Sequence, residues 1–107
     1  MNSSSPGCQP VAVTLRVIGG KWKPLILWVL RDHTLRFGEI KKQITGITQK
    51  MLTQQLRELE TDGILSRQVF PEVPPRVEYA ITEYGKNLEP VLKSMCDWGN
   101  NHTSRKN

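Results

Sequence analysis

Phe37-Gly38-Glu39-Ile40-Lys41-Lys42-Gln43-Ile44-Thr45-Gly46-Ile47-Thr48-Gln49-Lys50-Met51-Leu52-Thr53-Gln54-Gln55-Leu56-Arg57-Glu58-Leu59-Glu60-Thr61-Asp62-Gly63 is the stretch on which the fold turns. Phe37, Ile40 and Ile44 recur at intervals of three and four, one side of a short helix, with Glu39, Lys41, Lys42 and Gln43 outside. Thr45-Gly46 closes that helix, and Gly46 suits the left-handed conformation found at many helix ends. Thr48 then offers a hydroxyl to the free amides of a longer helix. Ile47 just before that cap and Leu52 four residues after it have the spacing of a hydrophobic staple. The helix reaches about Asp62 and stops at Gly63. Two helices joined by a glycine-containing turn make a helix-turn-helix.

Upstream, Val11, Leu15 and Ile18 mark one side of a short first helix, ended by Gly19-Gly20. A second helix starts near Lys21, and Pro24 is tolerated in its first turn. Trp22, Ile26, Val29 and Leu30 form its stripe, and Arg31-Asp32-His33-Thr34 is the turn after it. Downstream of Gly63 the period changes to alternation. Ile64 to Phe70 and Val77 to Ile81 read as two strands. Between them, three prolines in the six residues Pro71 to Arg76 make a stiff hairpin tip that extends neither ladder. Thr82 is expected to cap a last helix with the stripe Leu88, Val91, Leu92, Met95 and Trp98, kinked at Pro90 and fraying from Asn100. The fold expected is mainly α (α+β): a winged helix-turn-helix with a two-stranded wing and N- and C-terminal dimerisation helices. Residues 1–9 read as a flexible lead-in, 10–100 as one winged-helix domain, and 101–107 as a frayed polar tail.

The chain has 107 residues, a length for one modest core. Its 37% hydrophobic and 23% charged residues are ordinary for a globular domain. The longest apolar run, Leu25 to Leu30, is far short of the roughly 20 residues that span a bilayer, so no membrane partner is expected. Met1 to Pro10 has neither a basic start nor an apolar stretch; no signal peptide is expected, and a cytoplasmic location is the default. Fifteen basic against ten acidic residues give +5, which favours a polyanionic partner or merely a soluble basic surface.

Helix arithmetic separates those readings. At about 100° per residue, Leu52, Leu56 and Leu59 cluster on one side of the fourth helix. Lys50, Thr53, Gln54, Arg57 and Thr61 fall opposite, with Glu58 and Glu60 flanking. Two cations and three neutral hydrogen-bonding residues, with no acid at the centre, suit a major groove about 12 Å wide. Thr48 and Gln49 at the start of the helix join this candidate DNA-binding set, as does Arg76 on the wing. Arg67 is a weaker candidate that could instead pair across the hairpin with Glu78. The competing reading is a winged helix that binds protein. Such a face would more often carry an exposed apolar anchor, and none lies between Lys50 and Arg57.

Enzyme chemistry has little to work with. The two histidines are His33 in a turn and His102 in the tail; no nucleophile–base set or glycine-rich phosphate loop follows from the sequence. Cys96 and His102 alone make a poor metal site, so neither metal nor cofactor is expected.

Val17-Ile18-Gly19-Gly20-Lys21-Trp22 and Arg36-Phe37-Gly38-Glu39-Ile40 resemble the HxlR-type bacterial transcriptional regulators. So do Met51-Leu52-Thr53, the run Leu56 to Gly63, Val73-Pro74-Pro75-Arg76-Val77-Glu78-Tyr79 and Trp98-Gly99. The resemblance spans Cys8 to Gly99. It implies a MarR-like winged-helix dimer on double-stranded operator DNA, with the fourth helix as recognition helix. A homodimer also follows from the one-sided end helices, if Val11, Leu15 and Ile18 pack with Leu92, Met95 and Trp98 of a second copy. The alternative is a last helix folded onto its own domain. A dimer implies an inverted-repeat operator. Members of the family often carry a cysteine before the first helix, in several a thiol switch. Here Cys8-Gln9-Pro10 departs from the common pattern, in which proline follows cysteine directly. Cys8, with Cys96 of a partner copy, is thus the candidate redox sensor, beside the alternative of an incidental thiol. A small-molecule effector is the other candidate partner.

Overall fold

The computed structural model describes residues 9–105. Its elements run α1 (Gln9–Ile18), α2 (Trp22–Leu30), β1 (Leu35–Arg36), α3 (Phe37–Gln43), α4 (Gln49–Thr61), β2 (Leu65–Phe70) and β3 (Arg76–Ile81). A 3-10 turn (Gly85–Leu88) and α5 (Glu89–Arg105) complete the order. The core is the meeting of α2, α3 and α4 under the sheet. Ile26, Leu27 and Leu30 of α2, Ile40 of α3, and Leu52, Leu56 and Leu59 of α4 are all buried, with Ile64 just before β2 and Leu65 at its start joining them.

The turn between α3 and α4 forms as its residues require. Gly46 has φ of 89°, in the left-handed region where only glycine is comfortable. The Thr48 hydroxyl accepts the Met51 N–H at 3.0 Å, and the staple pair Ile47 and Leu52 is buried beneath it. At the other end of α4, Gly63 has φ of 78° and turns the chain into the sheet. The Glu39 carboxylate accepts the Arg36 N–H at 2.8 Å, which caps α3.

The expected two-stranded wing is β2 paired with β3. Three expectations are corrected and one strand is added. The added strand, β1, makes the sheet three-stranded and antiparallel in the order β1-β3-β2, pairing Leu35 with Tyr79 and Arg36 with Glu78. Two residues are too few to show an alternating pattern. Thr82 caps the 3-10 turn rather than α5: its hydroxyl donates to the Gly63 carbonyl at 2.7 Å and accepts the Gly85 N–H at 2.9 Å. Pro90 does not kink α5, because it is the second residue of that helix, where an amide would have no intrahelical partner. Finally, α5 does not fray at Asn100 but continues to Arg105, where Trp98 and His102, one turn apart, stack at 4.9 Å. The lead-in expected over residues 1–9 lies outside the described residues except for Gln9, which opens α1.

Candidate nucleic-acid interface

Three buried leucines fix the rotation of α4, so the opposite face is presented outward by geometry rather than by preference. Gln49, Lys50, Gln54 and Arg57 are exposed and Thr53 half-buried. These five residues, with Glu58, line one broad open concavity. Thr48 stands at its edge as the cap of the helix. Six of the seven residues expected to contact DNA are therefore brought together on one element.

Arg76 is not. It opens β3, and its guanidinium is held by Glu72 and Glu78, each at 3.3 Å, and over the Phe70 ring at 4.0 Å. Its charge is already balanced within the wing. Arg67 pairs with Glu60 of α4 at 3.7 Å, and not with Glu78, because the register sets Gln68 opposite Glu78. Lys41 and Lys42 are exposed on α3.

One residue the sequence reading missed is Lys23. It is 8% exposed, the one buried charged residue among those described. Its ammonium lies 2.6 Å from Glu58 Oε1, so it joins α2 to α4. Glu58 Oε2 in turn accepts from the Gln54 amide at 3.3 Å. The Lys23 ammonium, then the Gln54 amide, hold the Glu58 carboxyl below its ordinary value of 4.5. The acid that lines the concavity is thus ionised but neutralised from behind. The only signal in the sequence is a lysine between apolar residues at the start of α2, which reads equally well as an outward-facing side chain.

The six residues expected at a dimer interface divide. Ile18 and Leu92 are 3% and 4% exposed and belong to the chain's own core, so they are not free to meet a partner. Val11, Leu15, Met95 and Trp98 are 55%, 62%, 48% and 68% exposed. Cys96 is half-buried in an apolar recess with Pro24, Leu25, Trp28, Leu92 and Met95. Cys8 lies outside the described residues. Among the described residues no three His, Cys, Asp or Glu side chains group as metal ligands, and no helix is long and apolar enough to cross a membrane.

Residues 17–107 match the sequence pattern of the HxlR-like helix-turn-helix family. The HTH-type transcriptional regulator YdeP of Bacillus subtilis is 54% identical over 99 residues, covering 92% of this chain and 77% of its own. Among solved structures, the redox regulator HypR in its oxidised form is 51% identical with a TM-score of 0.83, over 86% of this chain and 95% of that one. The reduced form of the transcriptional regulator YodB from B. subtilis is 40% identical with a TM-score of 0.76, over 88% and 92%.

Proposed function

This chain belongs to the HxlR-like helix-turn-helix family of transcriptional regulators, which are not enzymes, and we propose that it reads operator DNA through the outer face of α4. The observation that carries this reading is the composition of the α4 concavity. Two cations with no ion-pair partner among the described residues and three neutral hydrogen-bonding side chains line it, and its one acid is neutralised by Lys23. Lys50 and Arg57 are suited to phosphate or guanine, and Gln54 to adenine. No apolar anchor of the kind that dominates protein–protein contacts lies on the face. Thr48 and Gln49 reach the backbone at the helix start, and Arg76, held in its wing network, orients the wing more than it neutralises phosphate.

The test is duplex binding as a function of salt. Arg57→Ala is expected to weaken specific binding by about 1–3 kcal/mol, as loss of a base contact does. Lys50→Ala is expected to weaken all sequences alike and to reduce the salt slope by about one. Unchanged binding when both are replaced overturns the assignment of the face.

The protein acts in this proposal as a homodimer on an inverted repeat, with the exposed residues of α1 and α5 covered by a second copy. Redox control through Cys8 is a second part of the reading, supported by the likeness to HypR, a redox regulator, and to YodB, also solved after diamide treatment. Diamide is expected to change the DNA affinity of the wild type and not that of Cys8→Ser. The same response in both proteins, or none in the wild type, removes Cys8 as the sensor.

A further inference from the structure

Gln54 is not a free amide. Glu58 lies one helical turn further along α4, and its Oε2 accepts from Gln54 Nε2 at 3.3 Å. An ionised carboxylate can only accept, so Gln54 has to turn its NH2 toward it. The carbonyl oxygen and the second N–H are left to the concavity that Gln54 lines. Glu58 is itself fixed from the opposite side, by the buried Lys23 of α2 at 2.6 Å from Oε1. Lysine is rarely buried without a partner, and this one spends its charge on a residue of the reading helix.

We infer that Lys23 and Glu58 are positioning residues that lock the orientation of the Gln54 amide and so make it select adenine over guanine. The inference rests on the reading of α4 as the helix that enters the major groove. Adenine presents N7, an acceptor, beside the N6 amino group, a donor. An amide with its oxygen and one N–H outward matches that edge with two hydrogen bonds. Guanine presents two acceptors, N7 and O6, and leaves the outward oxygen opposite another oxygen. An unanchored glutamine escapes the mismatch by rotating its amide and donating to guanine. The locked one does not, so the discrimination belongs to Glu58 and, behind it, Lys23.

The experiment selects bound duplexes from a randomised pool with the full chain and identifies the base position whose preference disappears in Gln54→Ala. Affinities are then measured for the adenine and guanine versions of that site. Wild type is expected to favour adenine roughly tenfold, the discrimination of one good two-bond contact. Glu58→Gln keeps the shape but lets the Gln54 amide turn, and Lys23→Met leaves the carboxylate unanchored. Both are expected to bring the ratio below about threefold. A purely structural role would lower the melting temperature and weaken both duplexes equally, leaving the ratio intact. If Lys23→Met does not fold, Glu58→Gln carries the test alone. A ratio that stays near the wild-type value in the folded variants overturns the inference, as does a Gln54→Ala protein with unaltered preferences. If Arg57→Ala and Lys50→Ala weaken binding while the ratio survives in Glu58→Gln, only this inference falls. If those two leave binding unchanged, the α4 reading falls and takes it along.

Discussion

A carboxylate is a poor neighbour for a polyanion, and Glu58 lies on the face that meets DNA in the proposed complex. Lys23 removes that conflict from inside the fold. Its buried ammonium is costly without a partner, and the half-exposed carboxylate at 2.6 Å supplies one. The sequence shows both residues but not their pairing. They are 35 positions apart, on α2 and α4, and only the packing of one helix on the other sets them together. A pH dependence follows. The folded state holds the Glu58 carboxyl below its ordinary 4.5, chiefly through Lys23, so the pair contributes stability above that value. The contribution is lost as pH falls through 4.5 and below, where the unfolded and then the folded carboxyl takes up a proton. Melting temperatures of wild type and Glu58→Gln should therefore differ most near neutrality and converge as the pH falls well below 4.5. A gap independent of pH would mean that Glu58 contributes by packing and not by charge.

At the scale of the element, what could be read in advance tracks how local the determinants are. The α3–turn–α4 unit was legible because each part of it is settled within a few residues: the three-four spacing of Phe37, Ile40 and Ile44, the left-handed Gly46, the Thr48 cap with its Ile47–Leu52 staple. The rotation of α4 follows from three leucines, and five side chains of the reading face follow from that rotation. The hairpin was legible from alternation and from the prolines at its tip. β1 was not, since its two residues gain strand geometry only by pairing with β3. Proline is equally at home just inside a helix start and disruptive within it, so Pro90 indicated a kink until Thr82 proved to cap a separate turn. The polar run from Asn100 to Arg105 has no apolar stripe to announce a helix. It is carried on by the Trp98–His102 stack and by a final Arg105 that suits the negative end of the helix. Arg76 shows the opposite failure: its type and place suggest a free wing cation, while Glu72 and Glu78 have already claimed it.

At the scale of the whole molecule, the question is what covers the apolar residues that the fold leaves outside. Val11 and Leu15 project from α1, and Met95 and Trp98 from α5, each about half exposed or more. Scattered exposure of this kind is ordinary; aliphatic and aromatic side chains on the two terminal helices together are what a self-complementary interface uses. Burying the exposed part of these side chains in a second copy is favourable and opposes the cost of association. Ile18 and Leu92 cannot test this, because both are core residues and their loss would destabilise the chain itself. Leu15→Ser and Met95→Ser can, since they remove exposed groups and leave the core and the Trp98–His102 stack intact. Sedimentation at micromolar concentration should give the wild type twice the chain mass of 12.2 kDa and the double variant the single mass, with unchanged helical content. The DNA then reports the geometry. A two-fold dimer sets its α4 helices on half-sites about 34 Å apart, on one face of the duplex. Inserting half a helical turn between the half-sites should abolish tight binding by the wild type. The monomeric variant, bound to one half-site at a time, should be indifferent to that insertion. A wild type that sediments as a single chain, or that tolerates the insertion, would assign these four residues to some other contact.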